Sequence, residues 1–268
     1  MSSPNPLGQQ RAILHPKAAE RAIDVGRHEP RESLAPYVDY HWLVRWDLAE
    51  PHDQQVVPQP RVHLAAEDGR LLVHGISRDP FVRTLHARGH VLGAAFKPGG
   101  FRPVLGTSVG SLMDSVRPAG DLFDEDDRPA AAAILDPDAS DTDIIATFED
   151  YLERLEPMPD PLAEEVAAWV AEAEHDLALT RADVLAARAG VSLRTLQRLF
   201  TEYVGIGPKW VIQRFRILDA AAAAHGSGTP DWAEVAVRLG FSDQAHLTRV
   251  FTQVVGAPPA TYVRGEGV

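Results

Sequence analysis

The sequence contains no cysteine. Disulfides, thiolate metal sites and cysteine nucleophiles are therefore excluded. Lysine is almost missing too. Lys17, Lys97 and Lys209 are the only ones, so arginine carries nearly all the positive charge, a bias of the kind a GC-rich bacterial genome produces. No apolar run is long enough to span a bilayer, and the first residues are polar and contain proline. The expectation is a cytoplasmic protein with no membrane partner. Positive charge is scarce overall: 26 Lys and Arg stand against 38 Asp and Glu, a net charge of −12. Phosphate-binding and dinucleotide fingerprints are missing, so common nucleotide sites have no support.

What is present is a stretch that occurs twice. The first copy runs Gly190-Val191-Ser192, then Leu196-Gln197-Arg198-Leu199-Phe200-Thr201, then Val204-Gly205-Ile206-Gly207-Pro208. The second runs Gly240-Phe241-Ser242, then Leu247-Thr248-Arg249-Val250-Phe251-Thr252, then Val255-Gly256-Ala257-Pro258-Pro259, with one extra residue after its Ser. Such repeats are supersecondary units. In each, a short apolar helix (183–189 and 232–239) precedes a Gly suited to the left-handed residue that ends a helix. Ser192 and Ser242 are good N-caps for the helix that follows. In the first copy Leu193, Leu196, Leu199, Phe200 and Tyr203 form an inward stripe. In the second, Leu247, Val250, Phe251 and Val254 do so. Arg194, Gln197, Arg198 and Thr201 are left outside in one copy, and Gln244, His246, Thr248, Arg249 and Thr252 in the other. Arg, Gln and Thr are residue types that read base edges in the major groove. Singly, such residues are ordinary surface. Two complete helix-turn-helix patterns point to double-stranded DNA as the partner.

The acidic total does not oppose this. From Pro161 onward, 10 Lys and Arg face 12 Asp and Glu. Between Arg188 and Arg216, six basic residues face Glu202 alone. A local basic face is what phosphate binding needs.

Residues 162–264 resemble the DNA-binding domain of the AraC/XylS family of transcriptional regulators. The most specific part is Gly240-Phe241-Ser242-Asp243-Gln244-Ala245-His246-Leu247-Thr248-Arg249-Val250-Phe251, followed by Gly256, Pro259 and Tyr262. Arg216 and Ala220 fit the linker helix between the two motifs. The resemblance implies a DNA-binding regulator with two recognition helices in successive major-groove segments, and RNA polymerase as a partner. Ser192, Arg194, Thr195, Gln197, Arg198, Ser242, Gln244, His246, Thr248 and Arg249 are the candidate DNA-binding residues. Without cysteine, the DNA-repair chemistry of some relatives is excluded.

Ahead of this lies a β-rich half. Residues 1–19 lack periodicity and read as a loose arm. Residues 41–46 read as a strand. Residues 62–66 and 71–74 flank Glu67-Asp68-Gly69, a hairpin signal, and residues 81–87 and 91–96 flank Arg88-Gly89, which suggests a second hairpin. Lys97-Pro98-Gly99-Gly100-Phe101 is a tight loop. Leu34-Ala35-Pro36-Tyr37-Val38, Tyr40-His41-Trp42, Val57-Pro58 and Phe96-Lys97-Pro98-Gly99-Gly100-Phe101 resemble the sensory region of actinobacterial AraC-type regulators.

The expected fold is thus α+β in two domains. A β-rich small barrel or sandwich spans 20–157, and an all-α domain with two helix-turn-helix motifs spans 161–268. A small, largely apolar effector is expected in the first, near a mouth at the Lys97–Phe101 loop, with Trp42, Trp46 and Phe101 as lining. Between the prolines at 137 and 157, Ile144, Phe148, Leu152 and Leu155 form an apolar stripe. It either lies on its own domain or pairs two subunits as a homodimer.

The alternative is a metal-dependent or small-molecule-modifying β-barrel enzyme fused to the DNA-binding domain. His41, His63, His74, His86 and His90 prompt it. No His-x-His pair with a following Glu supports a metal centre, and Asp121–Asp127 lacks the Gly and Glu of a calcium loop. The reading is therefore of a non-enzyme with no catalytic residue, no metal and no cofactor.

Overall fold

A computed structural model of the chain describes residues 22–79, 81–224 and 230–263. The arm expected at 1–19 lies outside them. Strands β1 (Asp24–His28), β2 (Val38–Asp47), β4 (His63–Glu67), β5 (Arg70–His74), β7 (Arg88–Phe96) and β8 (Val116–Pro118) form one antiparallel sheet in the order β1-β2-β7-β4-β5-β8. Strands β3 (His52–Val56) and β6 (Phe81–Leu85) pair as a separate ribbon. Among the described residues β1 and β8 are free edges, so the sheet does not close into the barrel that was one of the two expectations.

The Asp-Gly hairpin forms as expected. Asp68 and Gly69 both take positive φ, 52° and 74°, as a two-residue hairpin turn requires. The second expected hairpin does not form. Strand β7 is central, with β2 on one edge and β4 on the other, so β6 finds no free edge there and pairs with β3 instead.

Alternation along β2 and β7 divides the sheet into two faces. His41, Leu43, Leu92, Ala94 and Phe96 face helices α2 (Arg128–Ile134) and α3 (Asp141–Arg154) across a common core. A short helical turn, α1 (Arg102–Leu105), precedes them. Helix α3 buries Ile144, Phe148, Tyr151 and Leu152 in this core, with Ile145 and Leu155 against it. The stripe therefore lies on its own domain and is not free to pair subunits. His41 and Glu149 tie the two layers, 3.1 Å apart and both buried.

The C-terminal domain is all helical: α4 (Pro161–His175), α5 (Ala182–Arg188), α6 (Leu193–Leu199), α7 (Pro208–Ala224), α8 (Trp232–Arg238), α9 (Gln244–Val255) and α10 (Pro259–Val263). The repeat in the sequence is a repeat in the core. Leu185, Ala186, Leu196 and Phe200 are buried in one motif, and Val235, Ala236, Leu247 and Phe251 in the other. Pro208 and Pro259 each open the next helix, where a missing N–H costs nothing. Among the described residues no helix is long and apolar enough to cross a membrane.

Candidate nucleic-acid interface and adjoining cavity

Both helix-turn-helix motifs stop their first helix in the same way. Gly190 (φ 69°) donates to the Ala187 carbonyl and Val191 to that of Ala186. Gly240 (φ 76°) donates to Val237 and Phe241 to Ala236. These paired bonds satisfy the last carbonyls of the helix and turn the chain toward the second one.

The second helices start differently. Ser192 caps α6, its hydroxyl accepting from the Thr195 amide at 3.1 Å. Ser242 does not cap α9. The extra residue in the second copy moves the start of the helix on by one, so Asp243 takes the cap and accepts from the His246 amide at 2.7 Å. Ser242 instead places its hydroxyl 3.2 Å from His246 Nδ1. Asp243 is held below the usual carboxylate range by that amide and by the Ser242 hydroxyl.

Arg194, Gln197 and Arg198 are exposed together on α6, and Gln244 and Arg249 on α9. Thr195, His246 and Thr248 are half-buried, with His246 edge-on to Phe241 at 5.4 Å. Leu193 departs from the expected inward stripe: it is 39% exposed, at the first turn and beyond the reach of the core. Beyond Leu199 the first recognition helix widens into a π turn, Phe200–Val204, closed by the Gly205 amide on the Phe200 carbonyl at 2.9 Å.

The basic stretch shrinks on folding. Arg216 is fully buried, and its guanidinium donates to the Ala173, Glu174 and Asp176 carbonyls at 2.5, 3.2 and 3.1 Å. It therefore caps the C-terminus of α4, where carbonyls lack helical partners. Arg214 is buried as well, 4.4 Å above the Trp210 ring, and burial pulls its pKa down to about 10. Arg188 is paired to Glu172 and Asp176. Arg194, Arg198 and Lys209 remain exposed from the six, and Arg249 joins them from the second motif. Sequence reasoning could count charges but could not see which of them helix packing would withdraw.

The N-terminal domain rests on the first motif. Arg102 Nε bonds Glu202 at 2.8 Å. Val109 and Gly110 lie so close to Gly205 and Thr201 that a Cβ on either glycine would come within 3.0 Å of the other domain. Val57 and Ile76, from the N-terminal domain, are buried in the core of the helical domain.

The same two residues wall a cavity of about 390 Å³. Its floor is the sheet face carrying Tyr40, Trp42, Val44 and Trp46, and Leu85 of the β3–β6 ribbon lines it as well. Two of the three expected lining residues, Trp42 and Trp46, are there. Phe101 is not. It is buried in the opposite core, 4.7 Å from the Phe96 ring and 6.3 Å from that of Phe123. The Lys97–Phe101 loop is no mouth either, because Gly100 presses on the Tyr37 carbonyl and Gly99 on Ala163. The tryptophans lie where they do because their cross-strand partners are Gly93 and Gly89: a Cβ on those glycines would come 2.3 and 2.6 Å from the indole rings. Trp42 Nε1 donates to His63 Nδ1 at 3.2 Å and Trp46 Nε1 to the His86 carbonyl at 3.0 Å. Glu67 is buried between His74, at 2.7 Å, and Arg83. Burial raises its carboxyl pKa, but the hydrogen bonds from His74 and the Arg83 guanidinium outweigh it and hold it below the usual range. Among the described residues no three His, Asp or Glu side chains gather as a metal site would require.

Residues 26–118 match a family described as a domain of unknown function (DUF6597), and residues 185–265 match one described as a helix-turn-helix domain. Among solved structures, the DNA-binding domain of AdpA, a global transcriptional factor, in complex with a target DNA is 34% identical. That match covers 40% of this chain and 93% of the AdpA domain, with a TM-score of 0.32. A transcriptional regulator with an AraC-type DNA-binding domain from Chromobacterium violaceum is 25% identical over 38% of this chain and 88% of its own, TM-score 0.32. ToxT from Vibrio cholerae is 12% identical over 92% of this chain and all of its own (100%), TM-score 0.40. At these TM-scores no residue geometry passes from those structures to this one.

Proposed function

This chain belongs to the AraC-type family of DNA-binding transcriptional regulators, and from that membership we propose that it controls transcription in response to a small, largely apolar molecule bound by its N-terminal domain. The observation that carries the reading is the double role of Val57 and Ile76, which line the cavity and are buried in the core of the DNA-binding domain. A molecule filling the cavity touches side chains that belong to the core of the DNA-binding domain. A ligand shifts an equilibrium only by its differential affinity for the two states, and a shared wall is a physical means to obtain one.

On DNA, Arg194, Gln197 and Arg198 of one motif and Gln244, His246 and Arg249 of the other approach base edges. Ser192, Thr195, Ser242 and Thr248 lie toward the backbone. The two sets differ, so one subunit reads an asymmetric site with two contact blocks about one turn of DNA apart. The same reading makes RNA polymerase the protein partner. A homodimer would have to use a surface other than the apolar stripe of α3, which is buried. The domain binds its effector and does not transform it.

Sequencing the genomic fragments retained by the purified protein, followed by footprinting, tests this reading. It expects one enriched asymmetric motif with two protected blocks on one face. Retention of all fragments alike, or one subunit protecting a short palindrome, overturns it.

A further inference from the structure

The cavity is selective in charge and in shape. Every ionised side chain on its wall already has a counter-charge. Arg61 bonds Asp39 at 2.6 Å, Arg83 and His74 hold Glu67, and Asp114 bonds Arg78 at 2.6 Å. A charged ligand would enter a half-open, mostly apolar space with no uncompensated partner, and a charge moved out of water without a partner is disfavoured. The floor excludes polar chemistry in another way. Both indole N–H groups of Trp42 and Trp46 are already bonded to protein, so the rings have no donor left for a ligand and offer it only carbon surface. That surface exists because Gly93 and Gly89 leave room for the rings on the sheet.

We infer that the cavity takes an uncharged aromatic ring compound, seated on Trp42 and Trp46. The inference rests on the effector reading of this cavity and narrows it to one ligand class. Aromatic rings in contact gain beyond the area they bury, so a flat ring outcompetes an aliphatic chain of equal size.

Titration calorimetry of the full chain with five probes of similar size decides the matter: methyl 2-naphthyl ketone, 2-naphthoate, 2-naphthylmethylammonium, naphthalene and 2-decanone. Naphthalene and its methyl ketone are expected to bind about tenfold more tightly than 2-decanone and about a hundredfold more tightly than either ion. Trp42→Leu is expected to bring naphthalene down toward the affinity of 2-decanone. The comparison of those two probes on the unaltered protein reads the ring even where the variant does not fold. Equal or tighter binding of either ion or of 2-decanone overturns this inference and leaves the effector reading standing. Binding of none of the five overturns both.

Discussion

Arg214, on the helix that links the two DNA-reading motifs, donates its Nη2 to the backbone carbonyl of Arg78 in the other domain at 2.9 Å. Arg78 follows Ile76 and Ser77 of the cavity wall and is itself held by Asp114, which accepts from its amide at 3.0 Å and from its guanidinium at 3.0 and 2.6 Å. One buried guanidinium thus joins the cavity wall to the linker helix. A hydrogen bond from a charged donor contributes about 1.5–3 kcal/mol, less the cost of burying the charge. Arg214→Met keeps the stem against Trp210 and removes the donor. Hydrogen exchange should then show faster opening of residues 75–79, with the β2–β7 pair unchanged. Unchanged exchange at 75–79 would show that the bond does not hold the wall.

Readout of bases should fall to Arg198. It is exposed on α6, and no carboxylate pairs with it among the described residues. Arg198→Ala should cost about 1–3 kcal/mol at one half of the site and relax the sequence preference there. A quantitative shift assay on matched and mutated sites gives the answer. An equal loss on every sequence would make Arg198 a phosphate contact.

The paired glycines should respond unequally. Gly190→Ala meets nothing within 4 Å and faces only the positive φ of 69°, a cost of about 1 kcal/mol. Gly240→Ala brings the same strain and also a Cβ 2.4 Å from the Thr180 side chain, roughly 2–4 kcal/mol together. Denaturant titration of both variants measures the difference, and equal losses would contradict the packing at Thr180.

Caps give a sharper contrast within one motif. Asp243→Ala should cost about 0.5–2 kcal/mol, the range for losing an N-cap. Ser242→Ala should cost a few tenths at most, because its hydroxyl caps nothing. The reverse order in melting temperatures would return the cap to Ser242.

Acid should loosen the cavity through His63. Burial, then Arg61 and His74 nearby, push its pKa down to about 3. The folded value lies below the unfolded value of about 6.5, so the neutral ring is favoured in the fold. Stability from this source is complete above that pH and is lost as pH falls from about 6.5 toward 3. His41, buried and lowered in the same sense, adds to the slope. His63→Asn should flatten the dependence of unfolding free energy on pH between about 6.5 and 4. A parallel curve for the variant would show that His63 takes up its proton in the folded state.

The sequence by itself determined the DNA-reading half. Gly190 and Gly240, Leu196 and Leu247, Phe200 and Phe251 recur because each helix-turn-helix needs the same turn and the same inward contacts, and a local requirement leaves a local trace. It also determined the Asp68-Gly69 hairpin and the strand through Trp42 and Trp46, since two-residue turns and period-two alternation are written along the chain. Only the tertiary structure decided the rest. It withdrew Arg214 and Arg216 from the basic face, because a charge shows its neighbours only once helices pack. It sent β6 to β3, because β7 already had strands on both edges. It placed Phe101 in the far core and left Trp42 and Trp46 over a cavity, because which face of a sheet meets a helix and which stays open depends on partners far away in sequence. The wall shared by cavity and DNA-binding domain, at Val57 and Ile76, arises from contacts across the domain boundary, and the Val57-Pro58 marker says nothing of what Val57 packs against.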